Sequence, residues 1–223
     1  MTSPDSSFTP SDLARVSSDL YGNSRSILSL LQAQRYRIAP MGRVIEAIPV
    51  GSSVLDVGCG GGLLLNCAAA SRRLSYGHGF DSSPHAISVA QAASSRLARL
   101  GVNVVPTFEV RSVEQGFPEG SFDVVSVIDV LHHVSPRFQQ LAFECAASRV
   151  RDGGLLLIKE MRPSPAWRAA GNRLHDLIMA RQWIHYVEEP QVDTWAVDCG
   201  LRKVASECFD RLWYGHSLSI YSR

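Results

Sequence analysis

No apolar run in this 223-residue chain approaches the roughly 18 residues a membrane-spanning helix needs. The stretch from Met1 to Asp12 has neither a basic patch nor an apolar one, so no secretory leader is expected and the cytoplasm is the expected compartment. An excess of charge is missing too. The formal net charge is +1, so no bulk field favours nucleic acid or an anionic membrane surface. The five cysteines (Cys59, Cys67, Cys145, Cys199, Cys208) are odd in number, scattered, and never in a C-x-x-C pair. That argues against a disulfide frame or a zinc site; no metal is expected, and the thiols read as small buried hydrophobes. Internal repeats and low-complexity linkers are also absent.

What is present is an ordinary globular balance, with 45% hydrophobic and 19% charged residues. The length suits one domain around a sizeable core. Residues 1–12, rich in Ser, Pro and Thr, read as a disordered tail, and 13–223 as a single domain. Residues 13–48 form a helical preamble, "LARVSSDLYG" closed by Gly22 and "SILSLLQAQRYRI" closed by Pro40. Strands and helices then alternate. "SVLDV" (53–57) is a strand, and a helix follows from about Gly61 to Arg73. "LSYGHGFD" (74–81) is a second strand, and Ser83-Pro84 starts the next helix as cap and first-turn proline. Ile87, Ala90, Ala93, Leu97 and Leu100 mark its apolar face before Gly101. "VNVVPTFEV", "FDVVSVIDV" and "GGLLLIKEM" supply three more strands, nearly continuous apolar runs suited to burial on both faces. Five such alternations predict an α/β domain with a parallel sheet and right-handed crossovers. Residues 164–186 interrupt the rhythm with a helical insertion. A helix over 190–199 and a final strand, "HSLSIYSR", complete the chain.

The stretch "VLDVGCGGGLLL" (54–65) runs from strand into helix through a glycine loop. In open α/β sheets, ligands bind beyond the carboxyl ends of the strands, where such a loop sits. The dinucleotide fingerprint G-x-G-x-x-G would need a glycine at position 63, which is Leu63. The chain has Asp56-x-Gly58-x-Gly60-x-Gly62 instead. With "GFDSSPHAISVAQ" and "GFPEGSFDVVSVIDVLHHV" following at normal spacing, the segment resembles class I S-adenosylmethionine (SAM) dependent methyltransferases. The likeness is strongest to the small-molecule branch that includes quinone-biosynthesis enzymes, and covers about residues 40–160.

The resemblance implies a Rossmann-like, seven-stranded, mostly parallel sheet with an antiparallel last strand. Helices would lie on both faces, with helical cover at the N-terminus and after strand five. It implies SAM as cofactor, S-adenosylhomocysteine (SAH) as product, and a cofactor site including Asp56, Gly58, Cys59, Gly60 and Gly62. Asp81 and Ser82 at the end of the second strand, Ser112 and Val113, and Ile128 and Asp129 extend that site. Glycines let backbone approach the cofactor without a Cβ in the way. Asp56 either faces the ammonium and sulfonium or braces the loop. Asp81, 25 positions on, either accepts both ribose hydroxyls or caps the helix at Pro84. One departure stands out. The family often has an acid where Arg111 stands, to receive the adenine amino group, and a guanidinium has no acceptor.

Methyl transfer needs an aligned acceptor, exclusion of water and a route for a proton. His132 and His133 follow strand four, with His132 the candidate near the substrate or both of them structural. Glu160 ends strand five, facing the pocket or capping. In the insertion His175, Met179 and Trp183 share a helical face, with Arg181, His185 and Tyr186 nearby. This segment is either a lid or an amphipathic helix packed on the sheet; His175 and Tyr186 are its catalytic candidates. Trp213, Tyr214 and His216 read as core. Aromatic residues in the preamble and C-terminal third suit a small apolar or aromatic acceptor, methylated at O, N or C by a monomer or homodimer.

Two other readings stand beside it. One is nucleic-acid or protein methylation; exocyclic-amine methyltransferases usually carry an Asp/Asn-Pro-Pro-aromatic motif where this chain has "IDVLHH", and no basic excess favours nucleic acid. A SAM-binding partner or regulatory subunit without catalysis fits Arg111.

Overall fold

Thr9 opens the described structure by capping a helix. The computed structural model describes residues 9–22, 41–162, 185–211 and 214–223. Helix α1 (Pro10–Tyr21) starts where Thr9 Oγ1 accepts the Asp12 amide and the Asp12 carboxylate accepts the Thr9 amide. Proline at its first position loses nothing, because that N–H has no helical partner. The helix thus begins inside the segment expected to be a tail. The second preamble helix, the insertion over 164–186 as far as residue 184 with its possible lid, and Trp213 lie outside the described residues.

Seven strands lie in one sheet ordered β3-β2-β1-β4-β5-β7-β6, flanked by helices. In chain order α1 is followed by α2 (Met41–Glu46), β1 (Ser52–Val57), α3 (Leu63–Ala70), β2 (Leu74–Asp81), α4 (Pro84–Arg99) and β3 (Thr107–Val110). Then come β4 (Phe122–Ile128), α5 (Pro136–Ser148), β5 (Val150–Met161), α6 (Glu189–Asp198), β6 (Arg202–Arg211) and β7 (Tyr214–Ser222). By contacts the chain divides into two compact units. One takes the chain up to Ser53 with Cys59–Val110; the other takes Val54–Gly58 with Arg111–Arg223.

In the first unit β2 pairs with β3 in parallel, His78 opposite Thr107. The third strand is shorter than its apolar letters suggest, because Pro106 has no N–H to give a ladder and Val105 is exposed. Ser83 caps α4 as expected, its Oγ accepting the Ala86 amide at 3.2 Å. Ile87, Ala90, Ala93 and Leu97 are buried, but Leu100 lies past the helix end and is exposed. A buried polar chain ties α1 to the rest of this unit. The Tyr21 hydroxyl donates to the Gly61 carbonyl at 2.9 Å and accepts from Asn66 Nδ2 at 3.1 Å. Asn66 Oδ1 in turn accepts from Ser94 Oγ at 3.0 Å. Burial pushes the Tyr21 phenol well above its usual titration range, so it stays a donor.

In the second unit β1 and β4 pair in parallel (Val54 opposite Val124), and β4 pairs with β5 (Val124 opposite Leu155). Strand β7 runs antiparallel between β5 and β6, with Leu157 opposite Ile220 and Ser206 opposite Ser219. This is the antiparallel strand expected at the end of the chain. Phe143 of α5 is fully buried, tilted against Trp195 and edge-on to Tyr221. Truncating such a ring to alanine costs about 3–5 kcal/mol. Helix α6 is pinned by polar contacts: Lys203 Nζ meets Glu189 at 2.8 Å and Asp193 at 2.6 Å, and the Tyr221 hydroxyl donates to Asp193 at 2.7 Å.

Candidate functional site

The glycine loop is tightly strung on the first unit's own backbone. The Cys59 N–H donates to the Phe80 carbonyl at 3.0 Å, and the Gly60 N–H to Asp81 Oδ2 at 3.0 Å. The other Asp81 oxygen accepts the Ser83 N–H at 2.8 Å, so this acid braces both the loop and the start of α4. Each of its oxygens keeps a second lone pair, the capacity a ribose diol would use. Ser82 beside it is exposed, and Cys59 is buried. Gly60 and Gly62 have φ of +53° and +74°, and a Cβ on Gly62 would stand 2.7 Å from Phe108 and 2.8 Å from Ala90. Gly62 is therefore required by its neighbours.

In the second unit Asp56 is buried at 3% exposure, and its Oδ1 accepts from Ser126 Oγ at 2.8 Å. That bond ties β1 to the neighbouring strand β4. Gly58 has φ +63°, and a Cβ there would stand 2.5 Å from a Val130 methyl. Ser112 and Val113 begin a single 3-10 turn in which the Ser112 N–H donates to Gln115 Oε1 at 2.8 Å. Arg111 precedes that turn, half-buried.

The end of β4 carries the densest chemistry among the described residues. Ile128 closes the strand, buried, and Asp129 turns the chain with φ +57°, a conformation non-glycine residues rarely hold. Its carboxylate receives Lys159 Nζ at 2.7 and 2.6 Å, and its N–H donates to the Lys159 carbonyl at 2.8 Å. Glu160 Oε1 accepts the N–H groups of Val130 and Leu131 at 3.1 and 2.8 Å, and Oε2 pairs closely with His132 Nδ1. Both partners are buried, His132 at 1% and Glu160 at 5%. The His133 ring stacks at a tilt on that of His132, centroids 4.2 Å apart. The carbonyl of His132 accepts the His185 N–H at 2.8 Å, and Gln139 Nε2 donates to the carbonyls of Leu131 and His185. Tyr186 packs on Met161, one residue beyond Glu160. His216, in β7 opposite Met161, is buried.

The structure thus brings together Asp129, His132 and Glu160, which the sequence named separately. Their ligand atoms lie within 4.8 Å of one another. Lys159 completes the group and was missed; its signal was a lysine inside "LLLIKEM", where a strand buried on both faces has no use for an unpaired charge. His175 lies outside the described residues.

The family model "Methyltransferase domain" matches residues 30–206. The chain is 38% identical over 120 residues to a ubiquinone biosynthesis O-methyltransferase of Xanthomonas axonopodis pv. citri, covering 53% of this chain and 46% of that one. A Xanthomonas campestris pv. campestris protein of the same name is 36% identical over 122 residues. The chain spans about half the length of these curated relatives, 46% and 47%. Among solved structures, an O-methyltransferase family protein from Burkholderia thailandensis superposes with a TM-score of 0.68 at 24% identity, covering 87% of this chain and 57% of that one. Magnesium protoporphyrin IX methyltransferase from Synechocystis PCC 6803, with bound SAH, gives 0.68 at 18% identity over 97% and 96% of the two chains. These two likenesses concern the fold.

Proposed function

The chain belongs to the methyltransferase-domain family of SAM-dependent, small-molecule enzymes, and on that premise we propose that it methylates a hydroxyl oxygen of a small apolar or aromatic acceptor. The observation that carries the reading is the buried His132–Glu160 pair. A carboxylate on Nδ1–H fixes the tautomer in which Nε2 accepts a proton, the form a general base needs. Bound SAM would supply an electrophilic methyl group to the acceptor oxygen, its sulfur leaving with the electron pair of the carbon–sulfur bond as the thioether of SAH. His132 would take the hydroxyl proton. The relatives named as O-methyltransferases support oxygen as the methylated atom.

Cofactor contacts are proposed at Asp56, Gly58, Cys59, Gly60, Gly62, Asp81 and Ser82, and at Ser112, Val113, Ile128 and Asp129. Tyr186, beside Met161, is proposed to border the acceptor. No described helix is long and apolar enough to cross a membrane, and a cytoplasmic location goes with the proposal.

Calorimetry with SAH, followed by methyl transfer to a panel of phenols and catechols, tests the reading. SAH binds in the micromolar range, and Glu160→Gln lowers kcat about a hundredfold with SAH affinity unchanged. No SAH binding at sub-millimolar concentration would sink the donor assignment. A second reading, a donor-binding subunit without catalysis, is favoured by Arg111 standing where an acceptor for the adenine amine is usual. Tight SAH binding with no product from any acceptor selects it.

A further inference from the structure

Lys159 is a lysine almost wholly removed from water, its side chain 1% exposed. It grips Asp129 three times, through both carboxylate oxygens and through its own carbonyl on the Asp129 N–H. Asp129 holds φ +57° at the point of contact. Strain of that kind persists only where the surroundings over-determine it, and Lys159 does so from side chain and backbone together.

The charges give the grip a second meaning. Two carboxylates and an imidazole with ligand atoms within 4.8 Å of one another form a donor set of the type that holds a divalent cation. Buried carboxylates need a positive partner. Here an ammonium already sits on Asp129, while Glu160 spends its oxygens on two backbone N–H groups and His132.

We propose that Lys159 is the built-in cation of this cluster, a positioning residue that holds Asp129 in its left-handed turn and fills the place of a divalent metal. The proposed methyl transfer then runs without a metal ion, and loss of the ammonium opens a metal site. The link to catalysis rests on the His132–Glu160 reading; the ion-binding statement does not.

Titration of the full chain with Mn²⁺, followed by the electron paramagnetic resonance of the free ion, counts bound metal without any enzyme assay. Wild-type protein takes up no stoichiometric ion at about 100 µM Mn²⁺, a concentration above the dissociation constants of sensor-type carboxylate sites. Lys159→Met gains one ion per chain with affinity raised at least about tenfold, and Asp129→Asn in that background abolishes the gain. Lys159→Gln, which keeps a hydrogen bond to Asp129 without the charge, gives the same gain if the methionine variant fails to fold. Wild-type uptake of one ion that His132→Gln or Glu160→Gln removes would overturn the proposal. So would folded Lys159 variants, by circular dichroism and melting, with no gain in Mn²⁺ affinity. SAH calorimetry on the same samples reports separately on the donor assignment, so failure of one reading is not mistaken for failure of the other.

Discussion

Replacing Tyr21 by phenylalanine removes one oxygen atom and two hydrogen bonds, to Gly61 at 2.9 Å and from Asn66 at 3.1 Å. Tyr21 and Asn66 are both at 0% exposure, so water does not take the hydroxyl's place cheaply. Asn66 keeps a longer contact to the Ala90 carbonyl at 3.4 Å and its bond from Ser94. The Gly61 carbonyl has lost its tyrosine donor. One net hydrogen bond is worth about 1 kcal/mol, and a stranded buried carbonyl adds about as much, so the expected loss is about 2 kcal/mol. For a chain of this size each kcal/mol moves the melting temperature by about 2–4 °C, giving a fall of about 4–8 °C. Tyr221→Phe is the matched control. Its hydroxyl donates to Asp193, whose side chain is 40% exposed and still holds Lys203, so the loss is about 1 kcal/mol or less. Differential scanning calorimetry reads both variants. Tyr21→Phe melting within about 1 °C of wild type, or no lower than Tyr221→Phe, would refute the reasoning.

Further outcomes follow from the same contacts. Asp81→Asn leaves one acceptor for the Gly60 and Ser83 N–H groups and removes the negative charge. SAH affinity falls about tenfold or more by calorimetry, and unchanged affinity would count against a donor role for Asp81. Among the thiols, Cys208 is exposed and reacts first with a disulfide reagent at pH 8, whereas burial pushes the Cys67 thiol up to about 12 and keeps it silent until unfolding. Early modification of Cys67, located by peptide mass mapping, would contradict its placement. Hydrogen bonding from Lys203 holds the Glu189 carboxyl below its ordinary value of 4.5 despite partial burial. A lowered folded pKa stabilises above the unfolded value, and that share is lost as pH falls through the folded one. Between about pH 5 and 3 the melting temperature of Lys203→Met therefore declines less steeply than that of wild type; parallel declines would remove Glu189 from the account.

Sequence and structure agree most closely where chemistry is local. Strand β2 was read to its end residues, and Ser83-Pro84 marked the start of α4, because cap and proline act on their immediate neighbours. The same grammar was present and unread in Thr9-Pro10-Ser11-Asp12, a capping box hidden in a Ser- and Pro-rich composition. Strand β6 is implied by a seven-stranded sheet but not announced by its letters, because "RKVASECF" is an edge strand whose residues alternate between exposed and half-buried with no apolar run. At the site, the individual acids and histidine were legible from their places at strand ends. Their assembly was not. The pairing of Lys159 with Asp129 and of Glu160 with His132 spans 30 and 28 positions and depends on the parallel register of β4 and β5.

Gly58 and Gly62 are each fixed at positive φ against Val130, and against Phe108 and Ala90, at distances no Cβ tolerates. Folding alone is thus enough to retain them through mutational drift. A duplicated copy of this chain that ceased to bind its methyl donor would go on displaying the same glycines, and would be misfiled by anyone scanning for them. Asp81 would linger for the same reason, since it holds two backbone N–H groups. The letters free to decay first are those with the least packing duty, such as exposed Ser82, and a silent descendant would be told apart there.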